Sequence, residues 1–257
     1  MIYFPLPNVG TRAVWNRHFM VWRKTAGASL IGNFGDPLLY LIGMGYGLGR
    51  FVGDMDTMPY LVYVGAGILA ASSMNTATFE TLYGAFTRMT RQNTYHAMLA
   101  TPLTVADVVG GEVMWAATKS LFAGVAIFLV GTLLGAFPAQ TAILALPVVF
   151  LSGLVFGSLG MMVTAISPSY EFFLYYFTLV TTPMFLFCGV FYPADTLPAI
   201  LTAITTILPL THIIDIIRAL TAGTPVIDLM WHLSVIVGMI VVAFSAAVRL
   251  VTRRMLA

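Results

Sequence analysis

The sequence predicts an all-α membrane protein with six transmembrane helices, an N-terminal amphipathic interface helix and an outer-leaflet re-entrant hairpin before the last span. Three observations carry that expectation. Of the 257 residues, 59% are hydrophobic and 9% charged, whereas soluble domains carry about 25% charge. Six stretches, 28–49, 59–79, 113–136, 142–166, 171–191 and 231–250, are apolar over the roughly 20 residues that a helix needs to cross lipid. Basic residues also fall on one side of those spans.

The balance of 12 Lys plus Arg against 10 Asp plus Glu leaves +2, too small and too dispersed for nucleic-acid binding. Cys188 is the only cysteine, which excludes an intramolecular disulfide and any cysteine-based metal cluster. The whole chain, 1–257, reads as one embedded domain. Its first ten residues lack Lys and Arg and contain Pro5 and Pro7, so the N-terminus is expected to be retained rather than cleaved as a signal peptide.

Residues 10–26 are expected to form a helix lying on the membrane. At 100° per residue, Val14, Trp15, Phe19, Val21 and Trp22 share one arc, and Arg12, Asn16, Arg17, Arg23 and Lys24 the other. Trp15, Arg17, Phe19, Trp22 and Arg23 are its interface candidates, and the plainer alternative is a set of anchors flanking the first span. Within that span, Asp36 precedes Pro37 and suits a capped kink. The pairs Gly43/Gly47, Gly45/Gly49 and, in the fourth span, Gly153/Gly157 permit close helix approach, either within the chain or at a homodimer seam.

Orientation follows from counting basic residues. Arg12, Arg17, Arg23 and Lys24 near one end, Arg249, Arg253 and Arg254 near the other, and Arg88 and Arg91 between the second and third spans face only Arg50 and Arg218 opposite. Both termini are therefore expected in the cytoplasm. Residues 80–112 become a cytoplasmic connection, with a short helix after Asn93 that stops near Pro102, and Thr104 and Asp107 arranged as a capping box. Tyr95, Met98 and Leu99 give the short helix an apolar face with no evident core to enter, as a partner-docking helix would have. Glu112 and Lys119, two turns apart, suit a pair or a snorkelling arrangement.

Residues 192–228 are too many for a structureless loop. Asp195 and Thr196 can cap a helix of about 197–207; Pro209 separates it from a second helix of about 210–221 that stops at Gly223. Each is too short to span, which favours a re-entrant hairpin, and a full crossing would still leave both ends inside. Asp215 and Arg218 are placed to form an i, i+3 pair, as a gate or as headgroup anchors. The fifth-span aromatics Phe172, Tyr175, Tyr176 and Phe185 are further pathway candidates.

Catalytic signals are missing from the sequence. Neither Lys sits in a phosphate-binding Gly-rich loop, and no Gly-x-Ser-x-Gly nucleophile setting occurs. His18, His96, His212 and His232 are scattered along the chain, so no catalytic or metal site is expected.

Several blocks together carry a family resemblance: Ala77–Thr81 with Thr101–Thr104, Ser158–Met161 with Ser167–Tyr170, Tyr192-Pro193 through Pro198, and Leu208–His212 with Asp215, Arg218 and Gly223. Over nearly its whole length the chain resembles the permease subunits of ABC-2 type exporters, most closely the nodulation-factor (NodJ-type) export permeases. The resemblance implies a type V exporter-like fold, a homodimer in the bacterial inner membrane and two copies of a separate ATPase subunit. ATP and Mg would sit on that partner, with no cofactor in this chain. It also implies that Arg88, Arg91, Tyr95, His96, Met98, Leu99 and Pro102 couple to the ATPase. Arg88-Met-Thr-Arg91 replaces the acidic run often found there in the family. The implied cargo is amphipathic: a lipo-oligosaccharide, glycolipid or polysaccharide, or drug-like molecule. The alternative from another class is an ion-coupled secondary carrier, which deep charged residues would support.

Overall fold

The computed structural model describes residues 5, 8–27, 39–55, 57–137 and 140–256. The expectations for residues 28–38, including the Asp36-Pro37 kink, lie outside them. Helix α1 is Val9–Trp22. Helix α2, Leu41–Leu48, is wound as a π-helix and continues into Gly49–Val52. A two-residue antiparallel ladder, β1 (Asp54–Met55) with β2 (Met58–Pro59), pairs Asp54 with Pro59 and turns the chain into α3, Tyr60–Phe79. There follow α4 (Thr94–Leu99), α5 (Val105–Leu133), α6 (Ala145–Ile166), α7 (Phe172–Phe187), α8 (Ala199–Thr205), α9 (Pro209–Ala222) and α10 (Leu229–Leu256).

Three helical stretches among the described residues, Val105–Leu133, Gln140–Ile166 and Leu229–Met255, are long and apolar enough to cross a membrane. Helices α8 and α9 pass the same test only when joined, and they meet at a bend of 81°. Helix α6 lies at the centre, packed by α3, α5, α9 and α10. Small residues permit this. A Cβ on Gly153 would lie 2.5 Å from the Ala117 Cα, so α5 and α6 approach here as closely as backbone allows. The Gly153/Gly157 pair therefore serves packing within the chain.

Polar side chains tie the bundle together. Ser73 Oγ donates to the Val149 carbonyl, Ser120 Oγ to Ser73 and Thr164 Oγ1 to Thr81. Arg254 reaches from α10 to the carbonyls of Thr164, Ala165 and Ser167, at 2.9, 3.1 and 2.6 Å. A cation thus satisfies the orphan acceptors at the C-terminal end of α6, where the helix dipole is negative.

Several expected boundaries move. The helix of the expected second span does not stop at Phe79: helical backbone continues through π-wound Glu80–Ala85 and Thr87–Arg91. It stops at Asn93, whose φ of 51° is left-handed and which tolerates that region better than most residues. The next helix begins at Val105, where Thr104 and Asp107 form the expected capping box. Asp195 and Thr196 do not cap α8. They occupy a separate turn, Ala194–Thr196, and Pro198 precedes α8 without a side-chain cap. Gly223 ends α9 at φ 75°, as its position after the apolar run predicts.

Helix α1 forms within the stretch where a helix is expected. It buries Thr11, Val14 and His18 against α5, a stripe at i, i+3 and i+7 that lies within the apolar arc read from the sequence. Gly111 makes this possible, since a Cβ there would meet the Val14 side chain at 2.4 Å. Asn8 fastens the start: its side-chain oxygen caps the Thr11 N–H at 2.7 Å, and its amide donates to Asp107 at 2.7 Å. Trp15 donates to Thr118 Oγ1 at 2.9 Å, and Trp22 stacks on Phe122 with ring centroids 4.8 Å apart. Packing along α5 takes these rings, leaving Val21, Met20 and Val9 exposed.

Candidate functional site

The continuation of α3, the start of α5 and the middle of α1 converge on a buried chain of charges. Glu112 of α5 is wholly buried. Arg88 grips it in bidentate fashion, with Nε to Oε1 at 3.0 Å and a second guanidinium nitrogen on Oε2. His18 Nε2 of α1 lies 3.3 Å from Glu112 Oε1. The same Arg88 donates to Glu80 Oε1 at 2.8 Å, and Lys119 donates to Glu80 Oε2 at 2.9 Å. Glu112 and Lys119 therefore do not pair with each other; each finds a partner on the α3 continuation, which the π-wound backbone presents to α5. Arg–carboxylate forks of this kind are short, directional and strong.

Helix α4 folds onto this cluster. Tyr95 and Met98 point into the protein at 0% and 7% exposure, and Tyr95 lies within electrostatic reach of Glu112 and Arg88. The expectation that Tyr95 and Met98 face a partner is corrected: the chain supplies a core for them, built by elements far away in sequence. Leu99 is half-buried against that core. Arg88 is likewise internal, with its side chain 15% exposed. The outer edge instead presents Arg91, His96, Ala97, Ala100, Thr101 and Pro102. Of the expected coupling residues, Arg91, His96 and Pro102 lie on the surface.

The hairpin end is built differently. Arg218 of α9 donates to the Gly189 carbonyl and lies 3.7 Å above the centre of the Tyr63 ring. A cation over an aromatic face is favourable where water is scarce. Asp215, Arg218, Cys188, Thr211 and Tyr63 line a cavity of about 190 Å³. Asp215 and Arg218 also line a neighbouring cavity of about 370 Å³ with Asp228 and His232. The structure thus brings Asp215 and Arg218 to common walls, and Arg218 also contacts Gly189 and Tyr63. His212 and His232 meet as well, Nδ1 to Nδ1 at 2.8 Å, joining α9 to α10. Twenty residues of separation hide that pair from the sequence, where the four histidines look scattered. No group of three or more His, Cys, Asp or Glu able to hold a metal occurs among the described residues.

The α7 aromatics divide. Tyr175 is 63% exposed and touches Phe172 edge-on, whereas Phe185 joins Tyr40 and Phe191 at the other end of the helix. Tyr176 is half-buried. A larger ring cluster, Phe79, Tyr83, Phe86, Tyr170, Phe173 and Phe177, secures α7 to the continuation of α3. The i, i+4 spacing of Phe79 and Tyr83, and of Phe173 and Phe177, is its signal in the sequence.

Comparison with known proteins agrees with this architecture. A family model described as "ABC-2 type transporter" matches residues 10–221. Nodulation protein J of Rhizobium leguminosarum bv. viciae is 45% identical, over 98% of this chain and 97% of its own length. Nodulation protein J of Rhizobium meliloti (strain 1021) is 44% identical, covering 95% and 93%. A more distant relative, the inner membrane transport permease YadH of Escherichia coli (strain K12), is 21% identical over 95% of each chain. No solved structure matches. With a family match over most of its length and full-length relatives well above 30% identity, the chain belongs to the ABC-2 type transporter family as a membrane-embedded transport permease.

Proposed function

We propose that this permease is the membrane half of an ATP-driven exporter, working as a homodimer with two copies of a separate ATPase subunit that carries ATP and Mg. On this reading six spans lie in a bacterial inner membrane, with both termini and α4 in the cytoplasm and the α8–α9 hairpin in the outer leaflet. The cargo is an amphipathic molecule: a lipo-oligosaccharide, glycolipid or polysaccharide, or drug-like compound. Relatives named for nodulation and for inner membrane transport support the setting.

One observation carries the reading. The exposed edge of α4, with Arg91, His96 and Pro102, is backed by the buried ion chain that joins α1, α5 and the α3 continuation. A push on that edge reaches the core through the packing of Tyr95 and Met98 beneath it. The ion-coupled carrier is less favoured, because its carboxylates would have to exchange protons or cations. Glu80 and Glu112 are each already held by two side chains, Arg88 with Lys119 and Arg88 with His18. Purification of the tagged chain from native membranes tests the proposal. A co-purifying ATPase with a phosphate-binding loop, and transport that requires ATP, are expected. Transport driven by an ion gradient alone would overturn it.

A further inference from the structure

A cleft of about 470 Å³ opens between the C-terminal half of α1 and the continuation of α3. Charge within it is unevenly satisfied. Glu80 is the carboxylate on its wall, and both oxygens are occupied, Oε1 by Arg88 at 2.8 Å and Oε2 by Lys119 at 2.9 Å. Glu112, behind the wall, is held by Arg88 and faces His18. Two carboxylates are therefore matched by two permanent cations. Arg17 is left over: it is half-buried on the cleft wall and forms no ion pair with any described residue. Trp22, on the same wall, holds a buried indole N–H with no hydrogen-bond partner.

We propose that this cleft binds the phosphate group of an anionic amphiphile at the membrane surface, as in the headgroup of an acidic phospholipid. The planar guanidinium fork of Arg17 matches a phosphate with two parallel N–H donors. The Trp22 and Trp115 rings provide apolar walls beside those donors, a combination suited to the headgroup level, where one end of a ligand is wet and the other greasy. The cleft shares Arg88, Glu80 and Lys119 with the ion chain but includes no residue of α4, and lipid binding is read on the permease alone, so its failure is distinguishable from a failure of ATPase coupling.

Trp22 and Trp115 make the cleft its own reporter. The full-length chain in neutral detergent micelles is titrated with phosphatidylglycerol, phosphatidylcholine or inorganic phosphate while tryptophan emission is recorded. Phosphatidylglycerol is expected to give a saturable change that phosphatidylcholine does not. Arg17→Gln should raise the half-saturating concentration about tenfold, the worth of one charged hydrogen bond, with its melting temperature unchanged. Arg12→Gln, at an exposed position outside the cleft, should match the wild type. Saturation by inorganic phosphate alone would support the anion site and assign it to a soluble source. No saturable response to either phosphate source, or equal responses in Arg17→Gln and Arg12→Gln, would overturn the proposal.

Discussion

At the α4 end of the bundle Glu112 is fully buried and takes a bidentate fork from Arg88, which in turn shares Glu80 with Lys119. At the hairpin end Arg218 rests on a backbone carbonyl and an aromatic face, beside cavities of about 190 and 370 Å³. Charge meets charge at hydrogen-bonding distance in the first region, whereas in the second Arg218 contacts a carbonyl and a ring, with Asp215 on the same cavity walls and open volume beside them. Removing one member of a buried ion pair costs about 3–5 kcal/mol, because the survivor is stranded in low dielectric. Contacts to a carbonyl or a ring are worth about 0.5–3 kcal/mol. The first region is suited to transmitting force without yielding, and the second to rearranging at modest cost.

The sharpest way to break this contrast is Glu112→Ala. Two cations, Arg88 and Lys119, would then share Glu80 alone, and the uncompensated charge should cost about 3–5 kcal/mol, read as a large fall in the thermal midpoint of the detergent-purified protein. A loss under about 1 kcal/mol would show that the cluster does not anchor the three helices. Next comes Tyr95→Asp, which buries a charge where an aromatic ring packs. It should destabilise by about 2–5 kcal/mol; an unchanged melting temperature would mean that α4 sits elsewhere. Arg218→Ala should cost less, about 1–3 kcal/mol. Under the gating reading it should also alter export or basal ATPase rate in a correctly assembled complex. Normal export in both Arg218→Ala and Asp215→Ala would leave these residues as anchors and direct the search to the α7 aromatics. The smallest effect is expected for His232→Phe, which removes the single contact to His212 and should cost about 1 kcal/mol.

Legibility in the sequence followed the range of the interaction. The Thr104/Asp107 capping box, the Pro209 break and the Gly223 stop each depend on residues within a turn of one another, and each was readable. The inward direction of Tyr95 and Met98 was not, because the core that receives them comes from α5 and the α3 continuation. Arg88 and Glu112 are 24 residues apart, and Lys119 and Glu80 are 39 apart, so the sequence offered Glu112 and Lys119 to each other as the nearest opposite charges. In helix α1 the apolar arc is legible but its partner is not: Thr11, Val14 and His18 lie on that arc and are buried, Thr11 and Val14 in the Gly110-Gly111 notch of α5.

The central claim is that the exposed edge of α4 receives the ATPase while its buried edge carries the motion inward. His96→Asp combined with Arg91→Glu tests it most directly, because both positions are on the surface and outside the ion chain. The measurement is ATPase co-purification alongside the melting temperature of the permease alone. Lost co-purification is expected, with stability within about 0.5 kcal/mol of wild type as for other surface substitutions. Undiminished co-purification and ATP-dependent transport in that double variant would contradict it.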